Sequence, residues 1–466
     1  MKSLLSLALA GALPAAAALS LTVDTTVGRL YGMVNGSTPE VVQFLGVPFA
    51  QPPLGELRFA PPRPMNRPFG PWSEDCLTLN IYAPRKATPG HRLPVIIWIF
   101  GGGFYEGGLV TNGFNPSAWI QRTQGHIVVA VNYRTNIFGF PNSAGLAATG
   151  QNLNLGLLDQ RLAVEWVRDN IADFGGDVSR MALWGQSSGA ASTDYYNFAW
   201  PDDPIVHALI MHSGSVFATG SSNDVTHSNF SFVAGTLGCA NLSASDELDC
   251  MRHNVSADAL VDFYQNYTLG ADVPALKFTT IVDNVTKFQN FTTRALAGNY
   301  SKLPAILGTN ADEESSLLPW IGPHGYNQSY IHYTTLEVHQ CPANYYTDLR
   351  YNTSSLTFRY YNMGNFSNTS PRPWEGAYHT SELPLVFGTY DWYGGPATEY
   401  QAAVATRWQD LYLAFVKDPV HALPKLGWPA YTPAGYANGF AVNGTVTSLV
   451  PITELRAGCA QFPLPK

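Results

Sequence analysis

The sequence has 466 residues, of which 13% are charged and 13% are aromatic, and its formal net charge is -8 at pH 7. This composition is typical of a well-packed globular protein and argues against disorder. An acidic chain without a basic cluster is a poor binder of nucleic acid or of anionic membranes, so neither partner is expected.

The first residues, MKSLLSLALAGALPAAAALS, predict a secretory signal peptide. Lys2 precedes a short apolar stretch, and a run of small residues ends at Ala18. This order is typical of a signal peptide that is cleaved near Ala18 or Ser20. A membrane anchor is the alternative, which Pro14 and the short apolar stretch disfavour. We therefore expect residues 1–18 to be removed and the protein to be secreted without a membrane anchor.

Thirteen N-x-S/T sequons support the same route, because such sequons accept glycans on secreted proteins. Twelve of them lie at or after residue 229, which predicts that glycans crowd the C-terminal half. The candidate glycosylation sites are Asn35, Asn229, Asn241, Asn254, Asn266, Asn284, Asn290, Asn299, Asn327, Asn352, Asn365, Asn368 and Asn443.

The five cysteines are Cys76, Cys239, Cys250, Cys341 and Cys459. In an oxidising compartment most cysteines pair, and an odd number leaves one unpaired. The short spacing between Cys239 and Cys250 predicts a disulfide that closes a small surface loop. The pairing of the other three stays open, with Cys341–Cys459 the favoured combination.

Predicted strands and helices alternate along the chain. Apolar residues recur at helical spacing over residues 155–176, where a Gly-Gly pair ends the pattern. This order predicts an α/β fold, with a mostly parallel central sheet covered by helices on both faces. Without a linker tract or an internal repeat, residues 19–466 are expected to form a single domain. Buried strands are predicted within residues 93–103, 125–134, 179–185, 206–214 and 303–310.

The sequence GQSSG at 185–189 directly follows one of these predicted strands. A G-x-S-x-G pattern alone is a weak signal. Between a strand and a helix, however, it is typical of a sharp turn that presents a serine nucleophile above the sheet. We therefore predict Ser187 as the nucleophile and the backbone N–H of Ser188 as an oxyanion donor.

The glycine run FGGGFYEGG at 100–108 follows another predicted strand. Its backbone N–H groups can face a developing oxyanion. The alternative, a phosphate-binding loop, would need a Gly-Lys-Ser/Thr ending, which is absent. No metal-ligand spacing is evident either, so no metal or cofactor is expected.

A serine nucleophile needs a histidine base and an orienting acid, which follow in the order acid then histidine in α/β-hydrolases. The segment ILGTNADEES at 306–315 supplies candidate acids at a strand end. The residues alone leave both choices open. The candidates are Asp312, Glu313 and Glu314 for the acid, and His324, His332, His339, His379 and His421 for the base.

Longer segments resemble the type-B carboxylesterases, a family of α/β-hydrolases that includes cholinesterases and fungal lipases. FGGDVSRMALWGQSSG at 174–189 is similar to the family's serine signature, and EDCLTLNIYAP at 74–84 to its second signature. The resemblance runs from about residue 24 to about residue 430. It implies the α/β-hydrolase fold and hydrolysis of small-molecule carboxylic esters through an acyl-enzyme.

The resemblance also implies roles for single residues. GTNADEES at 308–315 matches the family's acid segment, which makes Glu313 the acid. GAYHTSELPLVFG at 376–388 matches the segment that carries the catalytic histidine, which makes His379 the base. Cys239 and Cys250 match a family disulfide. The implied oxyanion hole consists of the N–H groups of Gly102, Gly103 and Ser188.

Two departures from the family pattern bear on function. Only PRPMNRPFGPW at 62–72 stands where cholinesterases and fungal lipases have a much longer loop, so we expect neither a choline site nor a lid from this loop. Glu314 replaces the usual glycine after the acid. A second carboxylate there would raise the pKa of Glu313 by like-charge repulsion unless Glu314 pointed to solvent.

Two alternatives to a short-chain or aromatic-ester esterase stay open. One is a lipase that acts on long-chain acylglycerols. The other is a non-catalytic adhesion protein of the same fold, which is disfavoured because such relatives usually lose a triad residue. The sequence does not indicate the acyl or alcohol specificity or the oligomeric state.

Overall fold

The computed structural model describes residues 21–65, 74–111, 113–218, 222–267, 275–370 and 372–463. The predicted signal peptide, residues 1–18, lies outside these ranges, as does most of the short loop at 62–72. The expectations for those two segments therefore stay predictions.

The described residues form thirteen strands and fifteen α-helices. The strands are β1 (Thr22–Thr25), β2 (Gly28–Tyr31), β3 (Met33–Asn35), β4 (Thr38–Pro48), β5 (Thr78–Pro84), β6 (Leu93–Ile99), β7 (Ile127–Val131), β8 (Gly176–Gln186), β9 (Ala208–His212), β10 (Ala305–Asn310), β11 (Thr357–Asn362), β12 (Tyr436–Phe440) and β13 (Thr447–Pro451). The helices are α1 (Ser117–Thr123), α2 (Asn136–Gly139), α3 (Ala144–Ala148), α4 (Leu155–Asn170), α5 (Ser188–Ala199), α6 (Ser228–Thr236), α7 (Ala244–His253), α8 (Ala257–Asn266), α9 (Phe291–Leu296), α10 (Gln328–Thr335), α11 (Cys341–Asn352), α12 (Leu383–Phe387), α13 (Glu399–Lys417), α14 (Ala422–Lys425) and α15 (Ile452–Leu455).

Eleven strands form one central sheet in the order β13-β12-β11-β10-β9-β8-β6-β7-β5-β4-β3. The seven strands from β12 to β7 run parallel to one another. The strands at both ends of the sheet pair antiparallel. This arrangement confirms the predicted α/β-hydrolase fold with a mostly parallel sheet.

Both faces of the sheet are covered. Successive side chains of a strand point to opposite faces, and Ile96, Ile97 and Trp98 of β6 are all fully buried. Trp98 of β6 packs against Trp184 of β8 with 4.3 Å between ring centroids. Trp184 in turn stacks on Phe387 of α12 with 4.8 Å between ring centroids. These large rings fill the space between the sheet and α12, close beneath the strand ends.

The helix predicted over 155–176 divides into two parts. Helix α4 ends at Asn170, a 3-10 turn follows over Ile171–Phe174, and β8 begins at Gly176. Gly175 adopts a φ of 87°, a left-handed conformation in which glycine carries no steric penalty. The Gly-Gly pair therefore ends the 3-10 turn, whereas α4 itself ends earlier than predicted, and Gly176 already belongs to the strand that leads to Ser187.

Two disulfides are present among the described residues. Cys239, which precedes α7, joins Cys250 within that helix, and Cys341 joins Cys459 across 118 residues of chain. Cys76 is the free cysteine. The pairing that the spacing favoured and the pairing that the sequence left open are thus both found in the structure.

One candidate glycosylation site differs from the others in its burial. Asn368 is buried, and its side-chain amide donates to the carbonyl oxygens of Tyr390 at 3.0 Å and Gly395 at 3.3 Å. A glycan on that nitrogen would have to break both bonds, so Asn368 is the candidate site least suited to carry one. Of the remaining sequon asparagines Asn229 is half-buried and the others are exposed, so they stay candidate sites.

Candidate active site

Ser187 occupies a sharp turn between β8 and α5. Its backbone has φ 57° and ψ -124°, a conformation that side-chain-bearing residues rarely adopt. A Cβ on Gly185 would lie 2.1 Å from the carbonyl oxygen of Gly189, so the two sides of the turn approach each other only because Gly185 has no side chain. The turn therefore has the strained strand–turn–helix geometry that the sequence predicted.

The turn is fixed from below by the neighbouring strand. The N–H of Ser187 donates to the carbonyl oxygen of His212, the last residue of β9, at 2.8 Å. The side chain of His212 bonds Glu382 at 3.0 Å and the hydroxyl of Tyr412 at 2.7 Å. All three side chains are fully buried. This network links the Ser187 turn to the chain segment that carries His379.

His379 and Glu313 form a short, buried hydrogen bond. Nδ1 of His379 lies 2.6 Å from Oε2 of Glu313. The other carboxylate oxygen of Glu313 accepts the backbone N–H of Asn310 at 2.7 Å, which fixes its orientation. An ionised carboxylate opposite Nδ1 favours the tautomer with a proton on Nδ1, leaving Nε2 as an acceptor.

Nε2 of His379 faces the Ser187 turn and lies 3.0 Å from the side-chain nitrogen of Gln186. Within the described chain, this amide and not the Ser187 hydroxyl is the partner of Nε2. Ser187 and His379 both line one cavity of about 720 Å³. Catalytic hydrogen bonds are often long or misaligned before substrate binds, so this arrangement is compatible with a serine–histidine pair.

The glycine loop after β6 lies at the same cavity. Gly102 and Gly103 adopt φ values of 119° and 63°, and a Cβ on Gly102 would lie 2.2 Å from the carbonyl oxygen of Glu106. In the part of the chain that the structure describes, the backbone N–H groups of these glycines and of Ser188 have no acceptor. Unpaired N–H donors that are grouped in this way are able to stabilise an oxyanion.

Glu314 points into the protein instead of to solvent. Its side chain lies 3.0 Å from Nε2 of His339, and both residues are buried. Burial alone would raise the pKa of Glu313, but attraction to His339 and His379 lowers the pKa to about 2. The expectation that an inward Glu314 raises the pKa of Glu313 is therefore wrong, because His339 supplies a compensating positive charge.

The remaining candidates lie away from the cavity. His324, His332 and His421 are exposed at the surface. Asp312 accepts the backbone N–H of Ala377 at 3.0 Å and so fixes the backbone two residues before His379. Of the three acids and five histidines that the residues left open, Glu313 and His379 are thus brought into contact with each other at the cavity.

Sequence reasoning missed two side chains of this site. Gln186 directly precedes the predicted nucleophile, but nothing in its position indicates a contact with His379. His339 was one of several candidate histidines, and the unusual Glu314 was the only signal that a cation is required nearby. Glu313, His339 and His379 also offer ligand atoms within 4.8 Å of one another. Because Glu313 is paired with His379 and His339 with Glu314, we interpret the group as a hydrogen-bond network.

Comparison with known proteins shows which family the chain belongs to. The family model described as "Carboxylesterase family" matches residues 19–72 and 65–329, more than half of the chain. This chain belongs to the carboxylesterase family. Similar proteins that cover most of this chain are named as a lipase and an esterase, so the chain is a carboxylic ester hydrolase.

Three similar proteins from fungi each cover most of the chain. Secreted lipase 5 from Gibberella zeae is 40% identical over 88% of this chain and 88% of its own length. Chlorogenic acid esterase from Aspergillus niger is 43% identical over 87% of this chain and 84% of its own length. Lipase 4 from Diutina rugosa is more distant, 28% identical over 93% of this chain and 92% of its own length. No described helix is long and apolar enough to cross a membrane.

Proposed function

We propose that this carboxylic ester hydrolase uses Ser187 as the nucleophile, His379 as the general base and Glu313 as the orienting acid. The 2.6 Å bond between His379 and Glu313, beside the strained turn that carries Ser187, is the observation that carries the proposal. Nucleophile, acid and histidine also follow one another along the chain in the order found in α/β-hydrolases.

In the first half of the reaction, the Ser187 hydroxyl attacks the ester carbonyl and transfers its proton to Nε2 of His379. Glu313 holds the imidazole and stabilises the cation that forms. The oxyanion accepts hydrogen bonds from the N–H groups of Gly102, Gly103 and Ser188. Each such donor contributes about 3 kcal/mol to lowering the barrier in measured acyl-transfer enzymes.

In the second half, His379 donates its proton to the departing alcohol, and the acyl group stays on Ser187. Water then enters, loses a proton to His379 and attacks the acyl carbonyl. Collapse of this intermediate breaks the bond to the Ser187 oxygen, which takes the proton back from His379, so the acid is released and the serine is restored. For Nε2 to accept the Ser187 proton, the amide of Gln186 has to give up its contact with the imidazole.

We propose aromatic esters as the preferred substrates. The cavity walls include Tyr105, Phe114, Tyr378 and Tyr393, and flat rings stack favourably on aromatic side chains. The similar protein from Aspergillus niger is named a chlorogenic acid esterase, which supports an aromatic acyl group. The test compares kcat/KM for hydroxycinnamoyl esters with kcat/KM for straight-chain esters that carry the same leaving group, and the hydroxycinnamoyl esters are expected to have the higher value.

A lipase is the second candidate. Leu317 and Val338 line the cavity and are 49% and 37% exposed, so the cavity carries an apolar rim that could meet long acyl chains. A similar protein is named a secreted lipase. Turnover of emulsified long-chain triglyceride above that of soluble hydroxycinnamoyl ester would favour this candidate.

We also propose that the protein is secreted. The signal-peptide pattern, the sequons and a similar protein named as secreted support this location. Two disulfides among the described residues fit an oxidising compartment.

The neighbouring serines give a matched test of the mechanism. Ser187→Ala is expected to lower kcat for a p-nitrophenyl ester by more than about a thousandfold, because no nucleophile remains. Ser188→Ala keeps the backbone N–H and is expected to stay within about fivefold of the parent, since only a backbone group is assigned to the oxyanion. Full turnover by the Ser187→Ala protein would show that the nucleophile lies elsewhere.

A further inference from the structure

A second buried imidazole lies beside the proposed triad. His339 is carried by a single π-helical turn, Leu336–Gln340, between α10 and α11. Such turns are rare, and they occur frequently at functional sites. The His339 ring lies 5.2 Å from the His379 ring, centroid to centroid, and lines the same cavity.

The partner of His339 is the carboxylate next to the triad acid. Nε2 of His339 lies 3.0 Å from Oε1 of Glu314, and the two residues are only 5% and 8% exposed. Glu313 and Glu314 are adjacent in one short 3-10 turn and are both buried. A second buried carboxylate without a counter-charge would be strongly destabilising.

We propose that His339 and Glu314 form a positioning pair. The positive charge of His339 keeps Glu313 ionised and offsets the negative charge of Glu314, so that His379 gains its proton beside one net negative charge. The pair acts through Glu313 and His379 and does not touch the substrate carbonyl. The proposal rests on the triad proposed above.

Electrostatics agree with this geometry. Burial alone would lower the pKa of His339, but the adjacent carboxylates of Glu313 and Glu314 raise it. The imidazolium of His339 therefore persists to higher pH than in a free histidine. Its positive charge offsets Glu314, so Glu313 and His379 experience the charge of one carboxylate instead of two.

Other charged groups near this cluster form a constant background. Arg359 of β11 and Asp312 also interact electrostatically with Glu313. Glu337, on the same π-helical turn as His339, is exposed to solvent. None of these three is altered in the variants below.

Three variants test the pair through the pH profile of kcat/KM. The acid limb of that profile is the pH range over which activity falls as His379 gains a proton. His339→Gln leaves two uncompensated carboxylates, which favour the His379 cation, so the limb is expected to move up by about one pH unit. Glu314→Gln leaves the His339 cation with one carboxylate fewer, so the limb is expected to move down. The double variant is expected to return close to the parent profile.

The opposite directions separate charge balance from simple structural damage. His421→Gln, at an exposed position beside Asp418 and away from the cavity, is the matched control and is expected to leave the limb unmoved. Unchanged limbs in both single variants, or a double variant shifted as far as His339→Gln, would overturn the proposal. If His339→Gln does not fold, the downward shift of Glu314→Gln still decides it.

The experiments distinguish a failure of this proposal from a failure of the proposed triad. An inactive Ser187→Ala protein with unmoved limbs in the His339 and Glu314 variants removes only the positioning pair. An active Ser187→Ala protein removes the triad itself.

Discussion

Ser187 holds a backbone conformation that costs about 1–3 kcal/mol for a residue with a side chain. The surroundings offset that strain. The Ser187 N–H is bonded to the carbonyl of His212, whose side chain is held in turn by Glu382 and Tyr412. A buried network of this kind holds the turn in one conformation, because moving Ser187 would break several hydrogen bonds in a low-dielectric interior.

Gln186 offers a direct test of the environment of His379 at the residue scale. Gln186→Glu replaces a neutral amide 3.0 Å from Nε2 by a carboxylate of the same shape. The negative charge favours the imidazolium, so the base form is lost at a higher pH. We expect the acid limb of kcat/KM to move up by about one pH unit.

A matched control uses the same substitution at a distance. Gln151→Glu adds the same charge at an exposed position and is expected to leave the limb where it is. A limb that stays fixed or moves down in the Gln186→Glu protein would contradict the contact between Gln186 and His379.

The sequence predicts residues of this site to different extents. Ser187 follows from its strand–turn–helix context, because a local backbone geometry demands glycines at fixed offsets. His379 and Glu313 follow only from resemblance, since they are 66 residues apart and the residues alone left several alternatives. The contact of His339 with Glu314 could not be predicted, because it depends on how a π-helical turn approaches a 3-10 turn from another part of the chain.

At the element scale, the two disulfides restrain loops of very different length. Cys341–Cys459 closes 118 residues and ties α11 to the C-terminal segment, whereas Cys239–Cys250 closes 11 residues. By chain entropy the long loop contributes about 5 kcal/mol to stability and the short loop about 3 kcal/mol. We expect Cys341→Ser/Cys459→Ser to lower the free energy of unfolding more than Cys239→Ser/Cys250→Ser.

Urea unfolding monitored by tryptophan fluorescence measures this difference. Cys76→Ser removes a thiol that closes no loop and serves as the control for the substitution itself. A larger loss from the short loop would show that local strain or residual structure, and not loop length, determines the contribution of these bonds.

The positions of the strands in the sequence could be predicted more accurately than their order in the sheet. Each predicted apolar run contains a strand, because a buried parallel strand has to be apolar on both faces. The spatial order, in which β6 lies between β8 and β7, depends on crossover connections through helices and leaves no local trace in the sequence.

At the scale of the whole molecule, the sheet places the residues of the proposed site at one edge. The glycine loop follows β6, Ser187 follows β8 and Glu313 follows β10, all at the carboxyl ends of parallel strands. Residues that are far apart in the sequence thereby converge on one cavity, as expected for an open parallel sheet.

Glycosylation tests the surface of the whole molecule. Asn365 is exposed and Asn368 is buried, although both belong to sequons three residues apart. After secretion from a eukaryotic host, enzymatic deglycosylation in heavy-oxygen water is expected to label Asn365 and to leave Asn368 unmodified. Peptide mass spectrometry reads both positions in one fragment, and label on Asn368 would contradict the buried hydrogen bonds of that side chain.

Covalent labelling is the most direct test of the central claim that Ser187 is an activated nucleophile. A fluorophosphonate phosphonylates an activated serine with loss of fluoride, and peptide mapping locates the adduct. We predict one adduct per chain, on Ser187 and not on the adjacent Ser188, and no adduct in the Ser187→Ala protein. An unlabelled parent protein, or an adduct on any other residue, would contradict the account.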